Sequence, residues 1–289
     1  MPRAMQDSDT GTHEHVSCLL DTLPVDMSVA EHRTVEKFLR MNANVFSKSE
    51  YDIGRTHLAR HRIDTGEQPP FREPLRRQPV EYLPIIDQHV GGMVANDIIE
   101  PTALPWASNV VIIKKNGSYR FCVDYRRLND ITRKDSYPLP RTDDCLSSLG
   151  DASYFSTLDL RAGYWLTAMD EREADKIAFV TRRGTYKFKV LSFGLANAPA
   201  LFQRLVDYVL AGLTWEACLV YLDDIIIWAK SFDEHLQPLR QVSERIREAN
   251  LKLKAAKCKL FHSKDGFLGH LVSSNGIELD PEKVKSVTE

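Results

Sequence analysis

The chain reads ACLVYLDDIIIWA over residues 217–229, so two adjacent carboxylates, Asp223 and Asp224, stand between two apolar runs. Apolar runs of this length are typical of buried strands, and the acidic pair therefore predicts a tight turn in a hairpin. Asp is common in turns, which accounts for one of the two carboxylates. Two together at the tip of a buried hairpin indicate a docking point for a hard cation.

Length and composition favour a protein with a sizeable core and more than one subdomain, since 43% of the 289 residues are hydrophobic. No apolar stretch has transmembrane length, and the polar start of the chain lacks the apolar core of a signal peptide. Five cysteines without CxxC spacing suit reduced thiols. We therefore expect no membrane partner and no secretion, but a place in the cytoplasm, including virus-like particles, or in the nucleus.

The net charge of the chain does not indicate nucleic-acid binding, because the formal value is −2. Local clusters carry more information. Any single cluster is most simply a solvated face, but three in one chain favour a polyanionic partner. The three clusters are Lys114, Lys115, Arg120, Arg126, Arg127, Arg133 and Lys134; Lys176, Arg182, Arg183, Lys187 and Lys189; and Lys252, Lys254, Lys257, Lys259 and Lys264.

The first third of the chain predicts a tail, a helix and a connector. Residues 1–27 are expected to be disordered or weakly ordered. Ser28 and Glu31 form a capping-box pattern that opens a helix through about Asn42. The Pro-rich residues 47–80 predict an extended connector, and a second helix follows to about residue 96. Residues 28–94 thus form an upstream segment.

Turn and helix-cap residues predict the hairpins and helices in the rest of the chain. Asn116-Gly117 between two apolar runs predicts a two-residue hairpin turn, which crowds lysines and an arginine at one tip. Further hairpins are predicted at Arg183-Gly184 and Asn275-Gly276. Asn197 is expected to cap one helix, and another covers residues 232–249 with Pro238 inside it. A last helix is expected to begin at residue 280 and to be cut short by the end of the chain.

Asp159 ends an apolar segment, residues 155–160, that reads as a strand. If this strand lies beside the acidic hairpin, Asp159 meets Asp223 and Asp224. Two like charges 4 Å apart cost about 4 kcal/mol at an effective dielectric of 20, and a divalent cation would remove the conflict. On these residues alone, an ordinary strand end and an ordinary turn remain the alternative.

A longer series of motifs resembles the reverse transcriptases of gypsy-class LTR retrotransposons. The motifs stand in that family's order and near its spacing over about residues 95–289. They are IEP at 99–101, PWAS at 105–108, RFCVDYRRLN at 120–129, YPLPR at 137–141, FSTLDL at 155–160, FGLANAP at 193–199, YLDDII at 221–226, LGH at 268–270, GI at 276–277 and DP at 280–281.

The resemblance implies an α+β right-hand polymerase fold, with fingers and palm over residues 95–272 and a truncated thumb or connection over residues 273–289. The palm of such a polymerase is an antiparallel sheet backed by helices. The family implies an RNA-directed DNA polymerase that adds dNTPs to a primer on an RNA or DNA template. Protease, RNase H and integrase, the other parts of a Pol polyprotein, are expected partners that this chain does not include.

The same resemblance assigns site residues. Asp159, Asp223 and Asp224 match the catalytic ligands of two Mg²⁺ ions, for which Mn²⁺ is a possible substitute. Tyr164 matches the aromatic residue that excludes a ribose 2′-hydroxyl. The residues that match dNTP contacts are Lys114, Lys115, Arg120, Leu160, Tyr164, Phe193 and Gly194. Those that match primer or template contacts are Tyr221, Phe267, Leu268, Gly269 and His270.

Two departures from the family pattern are visible. Leu166 stands where Gln is usual, and Ser192 where Pro is common, so we expect tuned rather than lost activity. Two rival functions remain. One is a truncated or domesticated remnant that binds nucleic acid without turnover. The other is a metal nuclease, which shares clustered carboxylates but gives no reason for the Asn116-Gly117 hairpin or for Tyr164.

Overall fold

The fold is described from a computed structural model. The structure describes residues 14–115, 117–150, 152–161 and 163–281, with the backbone alone at residues 115, 163 and 164. Its α-helices are α1 Ser17–Asp21, α2 Val29–Met41, α3 Leu83–Ala95, α4 Arg126–Ile131, α5 Thr142–Ser147, α6 Ala198–Val209 and α7 Phe232–Glu248. Its strands are β1 Thr56–His61, β2 Ile99–Pro101, β3 Ser108–Lys115, β4 Ser118–Asp124, β5 Tyr154–Asp159, β6 Thr167–Met169, β7 Phe179–Thr181, β8 Gly184–Phe188, β9 Cys218–Tyr221, β10 Asp224–Ala229, β11 Lys259–His262, β12 Lys264–Phe267, β13 His270–Ser273 and β14 Gly276–Leu279.

A four-stranded antiparallel sheet, the central sheet, has the order β11-β5-β10-β9. Alternate residues of β10 point to opposite faces, as strand geometry requires. Ile225 and Ile227 enter the larger core with residues of α6 and α7, while Ile226 enters a smaller core with residues of α5. Because both faces of β10 are covered, its apolar run is continuous rather than alternating.

A five-stranded sheet of order β2-β8-β7-β3-β4 carries the Asn116-Gly117 hairpin. Lys115 is the register partner of Ser118, which leaves a two-residue turn, as the sequence predicts. Gly117 has φ +75°, a left-handed conformation that glycine adopts without steric cost. Asn116 itself lies outside the described residues.

The hairpin predicted near Arg183-Gly184 forms between β7 and β8, and the one predicted at Asn275-Gly276 forms between β13 and β14. The latter belongs to a three-stranded sheet of order β12-β13-β14. The capping box of α2 is present, with Ser28 and Glu31 bonded reciprocally. The helix predicted from residue 280 lies almost wholly outside the described residues.

Two details differ from the sequence prediction. Residues 14–21 form a 3-10 turn and α1, where a weakly ordered tail was expected, because Val16 and Leu19 follow helical spacing and are buried in the larger core. Asn197 occupies the cap position of α6 but does not cap it. Its side chain instead accepts a bond from the Asp135 N–H and donates one to the Arg133 carbonyl. Residues 1–13 lie outside the described part of the chain.

Across the described residues, no helix has both the length and the apolar character needed to span a membrane.

The central sheet predicts a matched pair of substitutions. Ile226→Ala removes a side chain that is 0% exposed, so we expect it to lower the free energy of unfolding by about 2–5 kcal/mol. Ile277→Ala on β14, at 45% exposed, is expected to cost no more than about 0.5 kcal/mol. Urea denaturation of both variants measures the difference. Equal losses would contradict the assignment of β10 to a sheet covered on both faces.

Candidate active site

The acidic hairpin is formed by β9 and β10, with Leu222 and Asp223 as its two turn residues. Tyr221 is the register partner of Asp224, and Asp224 is in turn the register partner of Asp159 on β5. The Leu160 N–H also donates to the Asp223 carbonyl over 3.0 Å. The prediction that the two distant acidic segments lie side by side is confirmed.

Asp159 is held by the segment that leads into β11. Lys257 Nζ donates to Asp159 Oδ2 over 2.6 Å, and the Lys254 N–H donates to the Asp159 carbonyl over 2.8 Å. The Asp159 side chain is 15% exposed, whereas Lys257 is 56% exposed. The ion pair therefore lies at the mouth of the site, with its carboxylate on the inner side.

The Asp223 carboxylate is perturbed by its surroundings. Burial, followed by the charges of Asp159 and Asp224, raises its pKa to about 6, against the opposing effect of Lys257. Asp223 Oδ1 is buried and accepts no hydrogen bond from any residue that the structure describes. A desolvated oxygen beside two further carboxylates is the kind of group that a cation satisfies.

The carboxylates are adjacent, but they are not assembled around one point. Among the described residues, no group of three or more His, Cys, Asp or Glu side chains is arranged to hold a metal ion. The ion pair with Lys257 gives a physical reason, since it neutralises Asp159 locally. The carboxylates and the register of their strands thus fit a divalent cation. The side chains themselves are oriented by contacts within the protein, such as the Asp159–Lys257 ion pair.

A cavity of about 480 Å³ opens over Asp159 and Asp223, and Asp224 is not among its lining residues. It brings together five of the predicted site residues, Arg120, Asp159, Leu160, Phe193 and Asp223. It is also lined by residues that were not predicted to belong to the site. These are Glu50, His89, Met93, Tyr119, Phe121, Cys122, Arg161, Trp165, Lys254 and Lys257.

Two further predicted dNTP contacts, Lys114 and Gly194, are not among the residues that line this cavity. The Lys114 ammonium lies 5.8 Å from the centre of the ring of Tyr119, its cross-strand neighbour, and Tyr119 does line the cavity. The side chains of Lys115 and Tyr164 lie outside the described part of the structure. Gly194 has φ +90°, and its carbonyl accepts a bond from Asn129.

The predicted primer contacts form the turn between β12 and β13, in which Phe267 is the register partner of His270. Leu268 and Gly269 both have positive φ, +49° and +79°. Phe267 is buried in the smaller core, against which Tyr221 and Leu268 also pack. This turn is therefore joined through packing to the strand that leads into the acidic hairpin.

Lys254 and Lys257 were not predicted as site residues, because in sequence they are simply members of a basic cluster. Their signal was the alternation of Leu251 and Leu253 with lysines, which predicts an extended segment with one buried edge. Both leucines are buried. Lys257, in the 3-10 turn that follows, donates to Asp159, whereas Lys252 donates to the Asn44 carbonyl.

The sequence matches the family described as "Reverse transcriptase (RNA-dependent DNA polymerase)" over residues 112–287. The chain belongs to the reverse transcriptase family. It is 35% identical over 269 residues to the retrovirus-related Pol polyprotein from transposon 297 of Drosophila melanogaster, covering 89% of this chain and 25% of that protein. It is 38% identical over 233 residues to the corresponding polyprotein from transposon opus of the same fly, covering 78% and 23%. The chain thus spans about a quarter of the length of these relatives.

The fold is that of solved reverse transcriptases. The foamy viral protease–reverse transcriptase in complex with an RNA/DNA hybrid superposes with a TM-score of 0.88 at 21% identity, covering 100% of this chain and 39% of that one. A second structure of that viral protein, in complex with double-stranded DNA, gives the same score and covers 60% of its chain. The predicted α+β polymerase fold, with an antiparallel palm sheet backed by helices, is confirmed.

In this member of the reverse transcriptase family, Asp223 makes the free energy of unfolding depend on pH. The fold raises its pKa from 3.8 to about 6, so between these values the folded state binds the proton more strongly than the unfolded chain. The free energy of unfolding therefore falls as pH rises through this window. In EDTA at pH 8, we expect Asp223→Asn to exceed the wild type in stability by roughly 1–3 kcal/mol, and to match it at pH 4.

Urea denaturation at the two pH values measures this effect. Asp143→Asn, at an 85% exposed side chain on α5, is the matched control and is expected to follow the wild type. An Asp223→Asn variant that is less stable than the wild type at pH 8 would contradict the argument that burial penalises this carboxylate.

Proposed function

We propose that this chain is the RNA-directed DNA polymerase module of a retroelement Pol polyprotein. The single observation that carries the proposal is the register of Asp159 opposite Asp224, beside the buried and unpartnered oxygen of Asp223. The primer 3′-hydroxyl attacks the α-phosphate of a bound dNTP, and pyrophosphate leaves. In this reaction, the protein contributes positioning and electrostatic stabilisation rather than a covalent intermediate.

Asp159, Asp223 and Asp224 are the residues that would hold divalent cations, Mg²⁺ or in its place Mn²⁺. The unsatisfied Asp223 oxygen and the raised pKa of this residue support that role. When bound, a pair of such ions supplies activation of an attacking hydroxyl and stabilisation of a leaving oxygen. Mg²⁺ suits the site because it binds through few carboxylates and shares its remaining positions with phosphates.

The triphosphate is proposed to bind in the 480 Å³ cavity. Four cationic side chains line it, Arg120, Arg161, Lys254 and Lys257, and they complement a polyanion. Arg120 projects from β4 at the edge of the cavity and is exposed, so its guanidinium is free to fold over phosphate oxygens. Leu160 and Phe193 supply the apolar wall, and we propose that Tyr164 governs the choice of sugar.

The primed template is proposed to run past the turn that contains Phe267, Leu268, Gly269 and His270. Foamy viral reverse transcriptase, which shares this fold, has been solved with an RNA/DNA hybrid and with double-stranded DNA. Packing of Phe267 and Tyr221 against the same small core supports a fixed distance between primer end and carboxylates. Protease, RNase H and integrase are the proposed partners in the polyprotein, in the cytoplasm or nucleus.

A second candidate is a module that binds nucleic acid without turnover. The Asp159–Lys257 ion pair favours it, since a carboxylate that is already neutralised attracts a cation less strongly. Primer extension decides between the two candidates, because only a polymerase lengthens the primer.

Primer extension on poly(rA)/oligo(dT) with Mg²⁺ tests the polymerase directly. We expect the wild type to extend the primer and Asp223→Asn to lower the rate by at least about a thousandfold, since electrostatic stabilisation is lost while the shape is kept. Asp143→Asn is expected to retain the wild-type rate. An Asp223→Asn variant that melts normally and still extends the primer would refute the role of this carboxylate.

Arg120→Ala is expected to raise KM for dTTP about tenfold, because one charged hydrogen bond to a phosphate is worth roughly 1.5–3 kcal/mol. Steady-state extension at varied dTTP concentration measures this. Arg245→Ala removes an exposed arginine from the last turn of α7 that does not line the cavity, and it serves as the control. An unchanged KM in Arg120→Ala would exclude Arg120 as a triphosphate contact.

A further inference from the structure

The side chain of Gln203, on α6, is fully buried at 0% exposed and lies directly beneath the acidic hairpin. Its Oε1 accepts a bond from the Leu222 N–H over 2.8 Å. Its Nε2 donates to the Val220 carbonyl over 3.2 Å. One amide therefore bonds the backbone on both sides of Tyr221, at the point where β9 passes into the turn.

This turn needs an external support. Leu222 has φ +53°, a left-handed conformation that costs a branched L-residue roughly 1–2 kcal/mol. The next residue, Asp223, is half-buried, and its buried Oδ1 has no hydrogen-bond partner among the described residues. Strained backbone of this kind persists only where the surrounding structure fixes it. Gln203 supplies that restraint at the Leu222 amide.

A second hydrogen bond fixes Gln203 itself. Gln203 Nε2 also donates to Asp207 Oδ1 over 3.0 Å, one helical turn further along α6. The other oxygen of Asp207 accepts a bond from the Tyr137 hydroxyl over 2.7 Å. With two acceptors facing its nitrogen and an N–H facing its oxygen, the Gln203 amide has only one orientation that satisfies all three partners.

The chain of contacts ends at the surface. Arg204 lies with its guanidinium 4.8 Å from the centre of the Tyr137 ring. It also forms two hydrogen bonds to the carboxylate of Asp135, at 2.9 and 2.8 Å. Tyr137 is thus held in place, and its hydroxyl connects the segment of residues 135–141 with the acidic turn through Asp207 and Gln203.

We propose that Gln203 is the positioning residue of the Asp223 carboxylate, and that Asp207 and Tyr137 fix the Gln203 amide in the orientation this requires. The proposal rests on the proposed polymerase function, since it assigns to Asp223 a place in the reaction. Gln203 acts through the backbone of Leu222 and touches no substrate. A merely structural role would affect stability without separating kcat from KM.

Four variants of the full chain test the relay. Gln203→Met keeps the length of the side chain and removes all three hydrogen bonds. Asp207→Asn leaves one side-chain oxygen to accept from both Gln203 and Tyr137, so one of these two hydrogen bonds is lost. Tyr137→Phe removes a single hydroxyl and keeps the ring beneath Arg204. The matched control is Tyr208→Phe, an exposed tyrosine on the same helix.

Two measurements are made on each variant. In primer extension, Gln203→Met is expected to lower kcat about tenfold to a hundredfold, as misplacement of a reacting group does, while KM for dTTP changes by less than about twofold. Asp207→Asn and Tyr137→Phe are expected to lower kcat by progressively smaller factors. In metal-free hydrogen–deuterium exchange, the peptide over residues 219–226 is expected to exchange faster in the same order, with β5 unchanged.

The proposal is overturned if Gln203→Met is folded and its kcat and its exchange at residues 219–226 equal those of the wild type. If Gln203→Met does not fold, Asp207→Asn and Tyr137→Phe decide, and wild-type values in both would equally overturn it. Should the wild type fail to extend a primer, the proposed function fails. The exchange order then still tests the positioning of the turn, because it needs no activity.

Discussion

Burial of the Asp223 carboxylate beside two other carboxylates is an unfavourable electrostatic arrangement, and the surrounding elements act to hold it. Antiparallel pairing places Asp159 opposite Asp224. Asp223 is the turn residue that directly precedes Asp224. Without a cation, the protein reduces the repulsion in two ways. Lys257 neutralises Asp159, and the raised pKa of Asp223 lets it take up a proton at mildly acidic pH.

The central sheet can sustain this arrangement because it is covered on both faces. Ile225 and Ile227 are held in one core and Ile226 in the other, so β10 has little freedom to shift or rotate. A displacement by one residue would exchange the two faces of the strand and bring Asp224 out of register with Asp159. The packing of the isoleucines that follow Asp224 therefore determines the separation of the carboxylates.

Local chemistry made much of this fold predictable. The turns after Lys115 and Ser273 and the capping box at Ser28 depend on residues that are close in sequence, and each forms as expected. The adjacency of Asp159 and the acidic hairpin was a hypothesis from the sequence, and it holds because β5 ends at Asp159 where the antiparallel β10 begins at Asp224. The polymerase architecture needed the whole series of motifs, because no single hairpin distinguishes it from other α+β folds.

Contacts between distant segments could not be predicted in the same way. The bond of Asn197 to residues 133 and 135 replaced a helix cap, since a nearby loop offered better partners than the first turn of α6. The Lys114 ammonium lies beside the ring of its cross-strand neighbour Tyr119, which lines the cavity, without lining the cavity itself. Lys257 and Gln203 act through partners that lie far from them in sequence, and no spacing rule connects them to Asp159 or Leu222.

The chemistry of Gln203 shows why a neutral side chain stands beneath the acidic turn. A glutamate there could accept from the Leu222 N–H, but it would add a negative charge near Asp223 and face Asp207 with no proton to donate. A lysine could donate to Val220 but could not accept from Leu222, and its charge would compete with a cation for the carboxylates. Glutamine both donates and accepts without a charge. The turn is thereby fixed without a further charge beside the Asp223 carboxylate.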